Sequence, residues 1–529
     1  MDKLINGKSG IKNIVSIEVL EDKAELFIQD EFGNISSKLV PNKFWMMSNE
    51  KIDKNFVRMT GDLHYKWGRQ FSERNEFQKW RTIYSKKMNK DIYCIWNKKE
   101  SLMVKDGYVQ FLNMKPNDVS LISFDIETTG LNEKADDALI ICISATYRDK
   151  NGISKHFWRY DEFADQGEMI WSFCNTFRAL NPTLILSHNG FQFDLVYIQA
   201  IADKNNTELL LGRDGSALQW DHPNSKKRFR VDGNRNLEFQ SCNIYGREIV
   251  DTYFLAQAFD VSRNMESYGL KPMIKQLGLE DEGRTYYDAS QIRFNYKDPV
   301  EFEKIIAYCK DDSDDPIKLW DRFGPLYFYT AQMVPKSFQE IILGASGSKL
   351  NSMMVRAYLQ DGHSIPKATE VKKYDGAISF AIPGIYSNCF KIDLAALYPS
   401  IILEYDVHDS DKDPKNYLLQ LVRTFRTKRL EYKSLARETG LQIWSDMDNA
   451  AKGILNSFYG FLGAKGLNFN SLECAAFITE KGVEILQYTM EHFSGIPFDK
   501  FVELYPKAFE KFMERYEEVE HVENEEETA

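Results

Sequence analysis

The segment Leu121-Ile122-Ser123-Phe124-Asp125-Ile126-Glu127 constrains this chain more than any other. It is an apolar strand carrying two acids two positions apart. Period-two geometry puts both carboxylates on one face. Acids projecting from a buried strand are costly unless a cation compensates them, and oxygen ligands of this kind suit magnesium or manganese. Two further apolar runs, Leu139-Ile140-Ile141-Cys142-Ile143 and Thr183-Leu184-Ile185-Leu186-Ser187, read as strands. Helical patterns lie between and after them, so this part of the chain reads as an α/β layer fold.

At 529 residues the chain is long enough for several domains. Met1 to about Asp118 mixes short alternating runs (Ile14–Leu20, Ala24–Ile28) with turn residues and reads as β-rich. Asp221 to Asn236 carries Lys226, Lys227, Arg228 and Arg230 before Asp232-Gly233-Asn234, which reads equally as a basic hairpin or as a solvated loop. Ala331 to Val371 is helical in pattern. Pro414–Thr439 and Leu441–Ser457 read as two amphipathic helices, the first of them basic. The end, Val502–Ala529, is glutamate-rich and reads as a solvated tail. The net charge of −11 does not by itself point to nucleic acid, although local patches decide binding. No apolar run is long enough to span a bilayer, and Met1–Lys8 lacks a signal-peptide core. Seven scattered cysteines contain no Cys-x-x-Cys pair, so a zinc ribbon or disulfide scaffold is not expected, and a cytoplasmic setting is.

Two later strings strengthen the Asp125/Glu127 pair. Ser187-His188-Asn189-Gly190-Phe191-Gln192-Phe193-Asp194 places Asp194 just after a strand, at a helix start. Tyr308-Cys309-Lys310-Asp311-Asp312 puts Tyr308 and Asp312 at i and i+4 on one helical face. Four carboxylates can hold two divalent ions about 4 Å apart, the clamp used for in-line phosphodiester hydrolysis. These three strings resemble the exonuclease motifs of proofreading family B DNA polymerases, the Asp-Glu-Asp-Asp type with tyrosine. The resemblance implies Asp125, Glu127, Asp194 and Asp312 as metal ligands, with Tyr308 orienting water or the scissile phosphate. Asp251, in Gly246-Arg247-Glu248-Ile249-Val250-Asp251-Thr252, matches a family position that orders this site. A plain helix cap is an equal reading of it.

A second set of strings resembles the first two polymerase motifs of the same family: Lys391-Ile392-Asp393-Leu394-Ala395-Ala396-Leu397-Tyr398-Pro399-Ser400, and Lys452 and Asn456 leading into Ser457-Phe458-Tyr459-Gly460. The resemblance implies Asp393 and the Leu394 carbonyl as metal ligands. Ala396, Leu397 and Tyr398 would meet the triphosphate and sugar, with Ala396 standing where the family often has serine. Arg426, Arg429 and Lys433 share a face at i, i+3 and i+7. Arg429 and Lys433 match the family's first fingers helix and join Lys452 and Asn456 as nucleotide-binding candidates. Tyr374 and Gly376, in Tyr374-Asp375-Gly376-Ala377, and Tyr459 with Gly460 are the DNA-binding candidates.

The family's Asp-Thr-Asp motif does not occur in these 529 residues. Asp499 has no acidic neighbour two residues away, and Asp446-Met447-Asp448 lies upstream of Asn456, in the presumed fingers. Asp393 alone cannot hold two metals. The resemblance covers roughly Asp118 to Phe493. It implies a mixed α/β fold with an N-terminal β-rich domain (1–118), a ribonuclease-H-like exonuclease domain (119–330) and a helical connection (331–371). An incomplete right-hand palm (372–408 and 459–495) would carry helical fingers (409–458) ahead of an acidic tail (496–529), with no thumb. The expectation is the large N-terminal portion of a polymerase of phage- or archaeal-like kind, split or truncated, with its exonuclease set complete. It implies two Mg2+ or Mn2+ ions per site. The implied partners are primer–template and single-stranded DNA, deoxynucleoside triphosphates and a C-terminal chain with the missing carboxylates and thumb, a sliding clamp being a further candidate. The implied setting is the cytoplasm, the host's if the source is viral. A free-standing 3′→5′ exonuclease with vestigial polymerase segments, and a non-catalytic DNA-binding remnant, are the alternatives.

Overall fold

The computed structural model describes residues 2–231, 236–370, 377–379 and 381–510. The first unit is β-rich. Strands β1 (Ile14–Val19), β2 (Lys23–Gln29) and β3 (Ile35–Pro41) form an antiparallel meander, and β4 (Phe44–Ser48), β5 (Val57–Arg58), β6 (Trp67–Phe71) and β7 (Ile92–Tyr93) form a second sheet in the order β5-β6-β4-β7. Buried Glu18 on β1 accepts from Lys99 Nζ at 3.0 Å and from the Gly246 backbone N–H at 3.0 Å. Gln110 Nε2 donates to buried Glu248 at 2.7 Å. A buried carboxylate needs such partners, so this network fixes the N-terminal unit to the next one.

That next unit is built on a five-stranded sheet. Its strands are β8 (Leu121–Thr128), β9 (Ile140–Asp149), β10 (Gly152–Arg159), β11 (Leu184–Ser187) and, after the hairpin β12 (Lys227–Arg230)/β13 (Asn236–Phe239), β14 (Glu248–Asp251). The order is β10-β9-β8-β11-β14, with β8, β11 and β14 parallel and β9 and β10 antiparallel. This is a ribonuclease-H-like arrangement. The basic stretch therefore forms a hairpin, and its turn at Asp232-Gly233-Asn234 lies outside the described residues.

Helices α1 (Gln166–Leu180) and α2 (Asp194–Lys204) follow β10 and β11, and α3 (Thr252–Phe259) and α4 (Leu270–Gln276) follow β14. The alternation along β8 decides which face does what. Ile122, Phe124 and Ile126 share a core with Met169 and Phe173 of α1 and Leu195 and Ile198 of α2. The opposite face meets the long helix α5 (Pro299–Ala331), where Ser144 on β9 lies 2.8 Å from Ser313 and Thr146 donates to Asp314 at 2.6 Å. Asp125 and Glu127 belong to that second, polar face.

Helix α6 (Ser346–Gln360) leads into the C-terminal part, whose described helices are α7 (Leu397–Glu404), α8 (Tyr417–Thr439), α9 (Gln442–Leu462), α10 (Leu472–Ser494) and α11 (Phe498–Leu504), the last packed through buried Phe498 and Phe509 where a solvated tail was expected. Helices α8 and α9 pair with each other, and α9 also packs on α5 and α6. The core is continuous here, with Phe425, Ile454 and Phe458 joining Tyr329, Met333 and Met354.

The apolar approach to Asp393 forms neither helix nor strand. Among the described residues no strand follows β14, apart from single bridges at His363 and Ile365 to the first unit. Residues 381–396 lack helix or strand, and Ile385, Phe390 and Ile392 are exposed, Phe390 by 76%. The physical reason is that an extended apolar run is held only by a neighbouring strand that satisfies its backbone and covers its side chains. No such neighbour is present among the described residues.

Candidate active site

Asp125 and Glu127 stand on β8 facing α5, as the alternation of the strand requires. Asp194 is the first residue of α2, and Tyr308 and Asp312 lie one turn apart on α5. The structure brings these five residues together. Asp312 and Asp194 lie close enough to Asp125 and Glu127 to disfavour their ionisation, and Asp312, Glu127 and Asp125 do the same to the Tyr308 hydroxyl.

The turn ahead of Asp194 explains the Ser187-His188-Asn189-Gly190 string. Asn189 adopts φ +69°, and a side chain at Gly190 would collide with the Ser187 hydroxyl. Asp251, buried at the end of β14, accepts backbone N–H groups from Asn189 at 2.8 Å, Phe191 at 3.1 Å and Tyr253 at 3.0 Å. It therefore caps α3 and orders the turn that delivers Asp194, so both sequence readings of Asp251 hold at once. His188 is tied to Thr252 Oγ1 at 3.0 Å and to the Tyr268 carbonyl at 2.9 Å. Burial pushes its pKa down to about 4, so it acts as a neutral strut.

Two cations in the site carry no motif signal. Lys271, at the start of α4, sits 2.9 Å from Asp312 Oδ2 and also contacts the Tyr308 hydroxyl. Arg284, 2% exposed in its side chain, pairs with Asp312 Oδ1 at 2.5 Å and with Asp315. Sequence reasoning missed both, because they come from the irregular stretch around two short helices and lie 37 and 28 residues from the groups they touch. His188 at the Tyr268 carbonyl, the Tyr268 hydroxyl donating to Asp260 at 2.9 Å, and buried Met273 and Ile274 together fix where Lys271 goes.

Among the described residues, Asp125, Glu127 and Asp194 form no ion pair. Burial first, and then the neighbouring acids, raise their proton affinity. Asp125 is pushed well above the usual carboxylate range, and Glu127 and Asp194 are pushed up to about 8. Burial, reinforced by the same acids, keeps the Tyr308 phenol protonated. A cluster that resists ionisation when empty is what divalent cations stabilise. Ligand atoms of Asp125, Glu127 and Cys309 lie within 4.8 Å of one another, and the carboxylates supply the hard oxygen donors that magnesium or manganese takes. The residues present fit such ions.

The second set of candidates is more dispersed. Asp393 and Leu394 are exposed on the irregular segment, and Ala396 adopts a left-handed conformation (φ +53°) that starts α7. Leu397 and Tyr398 open that helix. Tyr398 packs on Tyr459 at 4.6 Å between ring centroids and against Gly482. Gly460 is exposed one residue beyond Tyr459. On the helical pair, Lys433, Lys452 and Asn456 are exposed, whereas Arg429 is ion-paired to Asp448 at 2.9 Å. Tyr374 and Gly376 lie outside the described residues. No helix among the described residues is long and apolar enough to cross a membrane.

Comparison with known proteins adds two family matches: DNA polymerase family B, exonuclease domain, over residues 77–273, and DNA polymerase family B over residues 408–519. The third exonuclease string and Asp393 fall between these intervals. A DNA polymerase of Pyrococcus glycovorans is 23% identical over 410 residues, covering 70% of this chain and 50% of that protein. One of Thermococcus gorgonarius is 22% identical over 412 residues, covering 70% and 51%. The chain thus spans about half the length of the relatives it matches. The solved structure of the family B DNA polymerase from the hyperthermophilic archaeon Pyrobaculum calidifontis superposes with a TM-score of 0.73 at 16% identity, covering 91% of this chain and 72% of that one. At that identity the likeness speaks for the fold.

Proposed function

Because the chain belongs to DNA polymerase family B, we propose that it trims the 3′ end of a DNA primer by metal-assisted phosphodiester hydrolysis and contributes the nucleotide-binding half of a DNA-synthesis site. The observation that carries the first part is the convergence, over the polar face of β8, of Asp125, Glu127 and Asp194, which form no ion pair among the described residues and resist ionisation, with ion-paired Asp312 and a protonated Tyr308. Asp125, Glu127, Asp194 and Asp312 would hold two magnesium or manganese ions. When bound, these ions supply activation of a water and stabilisation of the leaving oxygen. The remaining work falls to this chain's own groups. Tyr308, held protonated, donates its hydroxyl hydrogen to a phosphate oxygen or to the water. Lys271 keeps Asp312 and Tyr308 in one arrangement and presents a positive charge beside the scissile phosphate. Arg284 fixes Asp312 from its buried side. The turn ordered by Asp251 sets the position of Asp194.

For synthesis, the first turn of α7 offers backbone N–H groups, and Lys433, Lys452 and Asn456 offer exposed side chains to a triphosphate. Asp393 and the Leu394 carbonyl would hold metal there, but Asp393 is the only acid of that set within these residues. Further carboxylates must come from outside them, on a following segment or a second chain, and the same source would supply the grip on duplex DNA. Tyr374, Gly376, Tyr459 and Gly460 would lie along the template and the nascent pair. A sliding clamp is a candidate partner, and the work is cytoplasmic.

The test uses the purified chain on an end-labelled primer–template with magnesium and all four deoxynucleotides. Shortening without extension is expected. Asp125→Ala combined with Glu127→Ala should abolish shortening and leave DNA binding intact. Degradation surviving in that variant would overturn the metal assignment. Extension by the chain alone would overturn the incomplete-synthesis reading.

A further inference from the structure

We propose that Asp448 is a positioning residue that holds Arg429 between the two long helices and competes with an incoming nucleoside triphosphate for it. The proposal rests on the reading of the α8–α9 face as a triphosphate site. Arg429 Nε donates to Asp448 Oδ1 at 2.9 Å, and the two side chains are only 13% and 14% exposed. The neighbouring candidates on the same face, Lys433 and Lys452, are exposed. Arg429 is therefore the one cation of this set that the structure finds already committed.

The position of the carboxylate gives the pairing its consequence. Asp448, Lys452 and Asn456 fall at i, i+4 and i+8 on α9, so the acid heads the stripe that carries the two nucleotide-binding candidates. Asp446, two residues earlier, has a different environment: it accepts from Gln442 on its own helix at 2.9 Å and borders Arg322 of α5. A negative group at the head of a phosphate-binding stripe repels polyanions unless it is neutralised. Arg429 neutralises it, at the cost of its own availability. A triphosphate has enough negative charge to draw the guanidinium away, whereas a monophosphate competes poorly with a desolvated carboxylate. Tyr432 of α8 stacks on Trp444 of α9, with centroids 6.1 Å apart and planes at 21°, so the helices stay joined when the ion pair opens. The pair thus lowers resting affinity for any phosphate and widens the gap between triphosphate and monophosphate.

The experiment measures binding of magnesium-dATP and of dAMP to the full chain by calorimetry, for wild type, Asp448→Asn, Arg429→Ala and the double variant. Asp448→Asn should tighten dATP binding by about 3- to 10-fold, the range of a partly buried ion pair, and should narrow the ratio between dATP and dAMP. Arg429→Ala should weaken dATP, and in that background Asp448→Asn should change affinity by less than about 2-fold, because the coupling runs through the arginine. Asp448→Ser is the second neutral variant, with circular dichroism reporting the fold of each. Unchanged or weaker dATP binding by both folded neutral variants, with Arg429→Ala still weakening it, would overturn the proposal and leave the triphosphate site standing. If Lys433→Ala and Lys452→Ala also bind dATP like wild type, the triphosphate reading of the face falls, and the proposal falls with it.

Discussion

Replacing Glu127 by glutamine should stabilise the metal-free protein while destroying its nuclease activity. In the folded chain, burial and then Asp312 push the Glu127 pKa from 4.5 up to about 8, although Lys271 opposes the shift. In the unfolded chain the group ionises near 4.5. Between these values the unfolded state has released a proton that the folded state keeps, so it binds fewer protons and stability falls as pH rises. The penalty is absent below pH 4.5, grows by about 1.4 kcal/mol per pH unit and is complete above pH 8. At pH 7 this is on the order of 3 kcal/mol, an upper figure because Asp125 and Asp194 share the same repulsion. Glu127→Gln keeps the shape and removes the charge. Thermal unfolding in EDTA should therefore show the variant matching wild type at pH 5 and melting several degrees higher at pH 8. Magnesium or manganese should raise wild type more than the variant and close the gap. A variant that melts no higher than wild type at pH 8 in EDTA would refute the reasoning, since Glu127 would then be compensated by groups other than metal.

The other predictions concern single contacts. Asp251→Ala leaves three backbone N–H groups around a buried turn without their acceptor and should cost about 2–4 kcal/mol, with exonuclease activity falling because Asp194 loses its position; chemical denaturation and a nuclease assay check both. Lys271→Met should lower the exonuclease rate by about 10²-fold with little change in DNA binding, read in single-turnover digestion of a single strand. Asp393→Ala should leave digestion by this chain nearly unchanged, and a large loss would mean that the two sites are not separate.

The convergence of Asp125, Glu127, Asp194, Tyr308 and Asp312 was legible because each residue depends on local geometry: alternation along β8, a helix start after β11, and one turn of α5. The order and spacing of those three strings are properties of the chain itself. Lys271 and Arg284 were not legible, because a short helix and the irregular stretch after it fold back by tertiary packing and leave too little periodicity to read. The irregular course of the segment before Asp393 was not legible for the opposite reason. Phe390-Lys391-Ile392 has the composition of a strand, but a strand is a relation between two segments, and the described residues supply only one of them. The two long helices α8 and α9 were legible in extent, yet their pattern could not show that Arg429 is held by Asp448, a contact between side chains 19 residues apart.

The polar network between the N-terminal unit and the nuclease sheet bears on how this protein can be taken apart. Glu248 sits three residues before Asp251 on β14, and its carboxylate accepts from Gln110 at 2.7 Å and from the Gln339 backbone N–H at 3.2 Å, with Lys99 the largest influence offsetting its burial. A unit cut free near residue 118 would carry that acid with the Gln339 N–H but without Gln110 or Lys99, in the strand whose far end orders the Asp194 turn. Excision would thus be felt at Asp194 and the acids beside it through the strand itself. The β-rich unit is part of the foundation of the carboxylate cluster, and a minimal fragment that keeps the cluster should begin ahead of β1.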